Sequence, residues 1–431
     1  MTDRTTSGAI DVAAVWSGTP AEFELYTCRE RGRQVVAFYD ADRWPTVGVR
    51  SLGESTWTTV RLPALGRIGW DAHNDLALTV DDDGRIHVAG NVHGDPLAYV
   101  RTADPGDVTT FERVPEMVGS RERRVTYPRF FRGPADELVF EYRDGRSGGG
   151  DWLYNVYDHD ARSWRRLLAD PLTAGRDRMN AYPHGPIPGP DGYYHCCWVW
   201  RDSPDAATNH DLSYARSADL QQWETSRGDP LELPITIETG EIVDPVPPGS
   251  GLINGNTPIG FDDRGRAVVS YHKYDPDGHT QVYNARSDGD GWTVSRVSDW
   301  EYRWEFGGTG SIPFDIEIGP VTVGDTGRLE QSYTHAEYGS GTWVLDPETL
   351  ERVDHVARSR RPEGLDEART AYPGMRVNWV DDSGVAPDGV EYALRWETLG
   401  PNRDRERDRD PPATTLRCHA FETGSSTRSR D

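Results

Sequence analysis

Short apolar runs and Asp/Gly turns alternate along this chain in a regular order. Residues 76–80 are apolar, Asp81, Asp82, Asp83 and Gly84 make a turn, and Ile86 begins a second run. The order returns in residues 185–198 around Asp191 and Gly192, and again in residues 258–271 around Asp262 and Gly265. Asp and Gly between apolar runs predict a two-stranded hairpin. A third strand follows each hairpin, at residues 97–102, 212–217 and 282–287; the last two lead to Trp223 and Trp292.

An opening motif marks the start of these units: Thr126-Tyr127-Pro128, Ala181-Tyr182-Pro183, Asn256-Thr257-Pro258 and Ala371-Tyr372-Pro373. Starts near residues 73, 127, 182 and 257 lie 54, 55 and 75 residues apart, and a Pro-rich insertion at 231–250 accounts for the long interval. Four short strands in each unit of roughly 50 residues predict β-propeller blades, about seven over the whole chain. A length of 431 residues would otherwise suggest about three domains. The regular spacing favours one all-β, seven-bladed propeller over a pair of β-sandwiches. The expected layout is an N-terminal extension over 1–11, the propeller over 12–422 and a disordered tail over 423–431.

Composition supports strands and narrows the partners. The chain has 45 Gly and 30 Pro, which suits many turns, and 44 aromatic residues, which argue against general disorder. Its formal charge of -24 makes nucleic acid and anionic membranes poor partners. Lys273 is the only lysine among 47 basic residues, and an acidic, lysine-poor surface suits work in high salt. No apolar stretch reaches the ~20 residues of a membrane span and no secretion signal is read, so a cytoplasmic monomer is expected. Cys28, Cys196, Cys197 and Cys418 do not make a disulfide framework. The mixed-charge run over 402–410 is expected to be a solvated loop.

Propeller channels collect side chains from successive blades, so candidates should recur at matching places. His73, Tyr127 and Tyr182 begin successive units, while His93 and Arg143 follow second strands. Asp71-Ala-His73-Asn74 with the His93 segment resembles the BNR-type seven-bladed propellers that include the ulvan lyases. So do Tyr127-Pro128 with Tyr142-Arg143-Asp144-Gly145, Tyr182-Pro183, and residues 198–202 with 208–214. The resemblance is dense from about 66 to 300 and thin outside it.

The resemblance implies a lyase that cleaves a rhamnose-(1→4)-uronate linkage by β-elimination and leaves a 4,5-unsaturated uronate. It places His73 and His93 on the base side, Tyr127 as acid or acid/base, and Tyr182 as an orienting group. Arg143 is expected to pair with the substrate carboxylate and to favour the Tyr127 phenolate. Asn74 and Lys273 are candidate substrate contacts, whereas Tyr372 is expected to be packing. The other readings are a sialidase-like glycoside hydrolase and a glycan-binding propeller without turnover. A second cluster, His184, His195, Cys197 and His210, is an acceptable tetrahedral zinc set, with Cys196 as the alternative sulfur ligand. Relatives carry a structural zinc in this region. No organic cofactor is expected, and the partner is an anionic uronate-containing oligo- or polysaccharide.

Overall fold

The apolar runs become strands that are buried on both faces. Residues 76–80 and 86–90 are buried without interruption, as is most of Arg33–Tyr39. Strands sandwiched between neighbouring sheets lose the in–out alternation of a half-exposed strand. A computed structural model describes residues 5–324, 326–356, 362 and 364–422. These residues form an all-β structure of seven antiparallel sheets. Their helical content is four short 3₁₀ turns. No helix among the described residues is long and apolar enough to cross a membrane.

The first sheet runs Glu24–Cys28, Arg33–Tyr39, Pro45–Ser51 and Thr58–Arg61. The second holds Leu76–Val80, Ile86–Gly90, Tyr99–Thr102 and Phe111–Arg113. The third is led by Val125–Arg132 and continues with Leu138–Arg146, Gly149–Asp158 and Ser163–Arg166. His93–Asp95 crosses over and pairs with the leading strand of this third sheet, with His93 opposite Thr126. The fourth sheet is built on Asn180–Pro188, Tyr194–Arg201 and Asn209–Ser217. The fifth spans Ile259–Phe261 to Trp292–Arg296, and the sixth Ile316–Val323 to Arg352–Val356.

The seventh sheet joins the two ends of the chain. Thr5–Val15 pairs antiparallel with Thr414–Glu422, which continues into Val390–Leu399 and Met375–Asp381. The stretch expected to be an extension over 1–11 is therefore strand from Thr5 onward. The expected disordered tail, 423–431, lies outside the described residues.

Buried apolar clusters bridge successive sheets. One joins the seventh, first and second through Trp396, Leu416, Leu25, Phe38 and Leu78. Others join the second to the third, the third to the fourth, the fourth to the fifth and the fifth to the sixth. None of these five clusters joins the sixth sheet to the seventh among the described residues; polar contacts of the 402–405 turn, described below, reach that side.

Candidate active site

The leading strands of the second, third and fourth sheets border a cavity of about 530 Å³. His73, Tyr127, Tyr182 and Arg201 line it, with Asn254 and Ser311 on other walls. His73 sits in the segment that enters Leu76–Val80, and Asp71 organises it. One Asp71 oxygen accepts hydrogen bonds from the His73 backbone N–H at 2.9 Å and meets His73 Nδ1 at 2.8 Å. The other oxygen meets His93 Nδ1 at 2.5 Å. The two imidazoles are thus held 4.3 Å apart, centroid to centroid. Only His73 of the pair lines the cavity.

Burial alone would lower the His73 imidazolium, but the hydrogen bond and charge of Asp71, with Asp404 and Asp75, raise it above the ordinary histidine value. Burial raises the Asp71 carboxyl, yet its bonds to both histidines outweigh this and hold it well below the usual range. Burial pushes Glu24 and Asp75, two further cavity carboxyls, up to about 8, with Glu22 adding repulsion at each.

Tyr127 stands edge-to-face to His73, with 6.1 Å between ring centroids. Its φ of 57° is left-handed, a conformation that bulky residues rarely adopt. The Val125–Arg132 strand slips register between Thr126 and Arg129, and this bulge turns the tyrosine. Its ring stacks parallel to Trp152, whose indole N–H donates to Ala181 O at 2.7 Å. The Tyr182 ring stands 6.2 Å away, and its hydroxyl meets Ser147 Oγ at 2.7 Å.

Arg143 does not line the cavity. It is 1% exposed and sits behind the two tyrosines, 5.0 Å from the Tyr127 ring. It donates to Tyr182 Oη at 3.3 Å and to Thr126 Oγ1 at 3.0 Å. Gly150 makes room for it, since a Cβ there would stand 3.0 Å from Arg143 Cγ. Arg143 and Arg201 both pull the Tyr127 phenol down, but burial outweighs them, with Tyr182 adding to it, and leaves the phenol above its ordinary value. The expected phenolate is therefore not the form this pocket favours.

Arg201 is the guanidinium that reaches the cavity wall. It is 8% exposed, lies 5.5 Å from the Tyr182 ring and is held by Ser203 O, Pro204 O and Asn254 Oδ1. The sequence does not single it out as a site residue although it sits in the 198–202 motif, nor does it single out Asp71, two residues before His73. The 402–410 run is the expected exposed loop over much of its length, but Asp404 turns inward and lies 3.7 Å from His73 Nδ1. Nothing in a run of alternating charges marks which carboxylate turns inward.

Of the other candidates, Asn74, Lys273, His195, Cys197 and His210 lie away from the cavity lining, and His184 is on it. The Asn74 backbone carbonyl accepts from Tyr39, and its side-chain oxygen is buried without a partner. Lys273 pairs with Asp244, which also accepts from Tyr271, and does not line the cavity. The four residues read as a zinc set do not converge. His195 is held between Tyr214 Oη at 2.6 Å and Asp191 at 3.0 Å. His210 bonds Asp202 and Asp211, and Cys197 donates to Thr257 O at 3.2 Å. His184 lines the cavity, where burial and Arg129 lower it to about 4. Burial also pushes the Cys197 thiol, and the alternative Cys196 with it, upward. As placed, these side chains do not fit a zinc ion. Among the described residues, Asp71, His73 and His93 are the one such group whose ligand atoms lie within 4.8 Å of one another, and there the carboxylate bonds the Nδ1 atom of each imidazole.

A family described as BNR repeat-containing family member matches residues 33–300. No curated protein matches the chain in sequence. Among solved structures, the polysaccharide lyase Uly1 aligns with a TM-score of 0.66 at 14% identity, over 97% of this chain and 99% of its own. A PL25 ulvan lyase aligns with a TM-score of 0.59, at 12% identity alone and 13% when bound to -[GlcA(1-4)Rha3S]-. Both cover 92% of this chain and 97% of their own. At these identities the likeness is one of fold.

Proposed function

The chain belongs to the BNR repeat-containing family, and from that premise we propose that it is a lyase cleaving a rhamnose-(1→4)-uronate linkage by β-elimination. In this reading the seven sheets are the blades of one propeller, and the leading strands carry the chemistry to a common mouth. The observation that carries the proposal is the neighbouring pair: a carboxylate-anchored His73 and a strained, half-buried Tyr127 that line one cavity with their ring centroids 6.1 Å apart. The fold shared with polysaccharide lyases, one of them solved on a uronate–rhamnose ligand, supports it.

Elimination removes H5 of the uronate and expels O4. The neutral His73 imidazole takes the proton, and His93 acts through the shared Asp71. The Tyr127 phenol, kept protonated by burial, returns a proton to O4 as the leaving alcohol departs. A positioned base and acid each contribute about 10²–10⁴-fold. On an L-iduronate, H5 and O4 lie on opposite faces and the two groups divide the work. On a D-glucuronate they share a face, and Tyr127 would then have to serve both steps.

The charge that builds on the substrate carboxylate needs cations. Arg201, at the wall, meets the carboxylate directly; Arg143, behind the tyrosines, fixes Tyr182 and adds positive field. Such preorganised donors stabilise developing charge by roughly 3–4 kcal/mol each. Raising Glu24 and Asp75 towards 8 leaves part of the cavity's acid uncharged near neutrality, which lessens repulsion of an anion.

Incubation with defined uronate–rhamnose oligosaccharides, sulfated and not, tests this reading. The expected result is ultraviolet absorbance of a 4,5-unsaturated uronate rising together with new reducing ends. Reducing ends without that absorbance would mean hydrolysis, and binding without either would mean a lectin.

A further inference from the structure

The turn over 402–405 belongs to the seventh sheet's connection, between Val390–Leu399 and Thr414–Glu422. Two successive non-glycine residues in it, Arg403 and Asp404, have φ of 56° and 60°. Left-handed backbone at such residues persists where surrounding contacts hold it, and it gathers at functional sites. The contacts are present. Arg403 donates from its guanidinium to Gly307 O at 2.6 Å and from its backbone to Ser311 O at 3.0 Å. Asp404 accepts from Ala72 N at 3.3 Å, from Ser311 N at 3.0 Å and from Ser311 Oγ. Ala72 precedes His73, and Ser311 lines the cavity.

We propose that Asp404 is a positioning residue for His73. It clamps the segments on both sides of the imidazole and holds a second carboxylate 3.7 Å from its Nδ1. This carboxylate is too distant for a hydrogen bond, so it acts as a fixed charge that favours the imidazolium formed when His73 takes a proton. The charged and titratable groups facing His73 are Asp71 and Asp75 on its own segment, His93 and Tyr127 in ring contact with it, and Asp404 from the seventh sheet's connection. Asp404 lies outside the residues matched to the family, which end at 300. The inference rests on the reading of His73 as the base.

The test follows the His73 imidazole by NMR through a pH titration of the full chain, with His73→Gln identifying its signal. In Asp404→Asn the midpoint should fall by about half a unit or more. The acidic limb of the pH–rate profile should move down with it, and Asp404→Glu should restore most of both. If Asp404→Asn does not fold, Arg403→Ala, which frees the turn but keeps the carboxylate, should also lower the midpoint. An unchanged His73 midpoint in the folded variant overturns the proposal. If no uronate glycan is turned over, the functional reading fails, while the NMR midpoint still decides the role of Asp404.

Discussion

At the scale of single residues, Tyr127 concentrates the most cost in one place. Its backbone is left-handed, its ring is packed between Trp152 and Tyr182, and its phenol is held above the ordinary value by burial. Strain of about 1–3 kcal/mol at such a residue is tolerated only where neighbours over-determine it. Tyr127→Phe keeps the ring and loses only the hydroxyl. It should cut turnover by about 10²–10⁴-fold and leave the unfolding temperature close to wild type, as circular dichroism and the elimination assay can check. Full activity in this variant would remove Tyr127 from the mechanism. Tyr127, Tyr182 and His73 were legible from their recurrence at the start of successive units. The division of labour between Arg143 and Arg201 was not. Both arginines lie on the second strand of their sheets, and only the packing of Arg143 behind the tyrosine rings separates a guanidinium away from the cavity from one on its wall.

At the scale of elements, one polar device recurs. In the second sheet, His87 is held between Tyr99 Oη at 2.6 Å and Asp81 at 3.1 Å. In the fourth, His195 is held in the same order by Tyr214 and Asp191. The aspartate comes from the hairpin turn, the histidine from the second strand and the tyrosine from the third, so the trio ties three strands together. Each histidine stands three residues after its turn glycine, Gly84 or Gly192, so the hairpin repeat itself carries the alignment. Losing a buried partner of this kind costs about 1–3 kcal/mol. His195→Gln should therefore lower stability in urea unfolding, and a chelator should leave wild-type stability unchanged. A large chelator effect would restore the metal reading. The pH dependence has a definite sign. Burial lowers His195 below its ordinary value despite Asp191, so the unfolded chain binds more protons in that window. Stability should fall as pH drops below about 6.5, and His195→Gln should flatten that fall.

At the scale of the whole molecule, strands from near the two ends of the chain pair in one sheet. Thr5–Val15 lies against Thr414–Glu422, so residues about four hundred positions apart complete one sheet. A net charge of -24 surrounds a cavity proposed to take an anion. Long-range repulsion between the two falls with salt, since the screening length is about 10 Å at 0.1 M and about 3 Å at 1 M. Initial rates on an anionic oligosaccharide should rise between these conditions, mainly through a lower KM. A marked loss in molar salt would count against a protein suited to brine.

The sequence by itself determined the all-β character, the hairpin units and the residues that open them. Those features depend on neighbours a few positions apart, where turn chemistry and apolar spacing act directly. Only the tertiary structure decided that His93 pairs with the third sheet's strand, that Arg143 lies behind the tyrosines, and that Asp404 reaches His73 from 331 positions away. The reason is geometric: a site assembled from separate sheets depends on register, on a bulge and on how the sheets meet. Local composition does not encode any of these, which is why a charge run that read as solvent-facing supplies a carboxylate beside the imidazole.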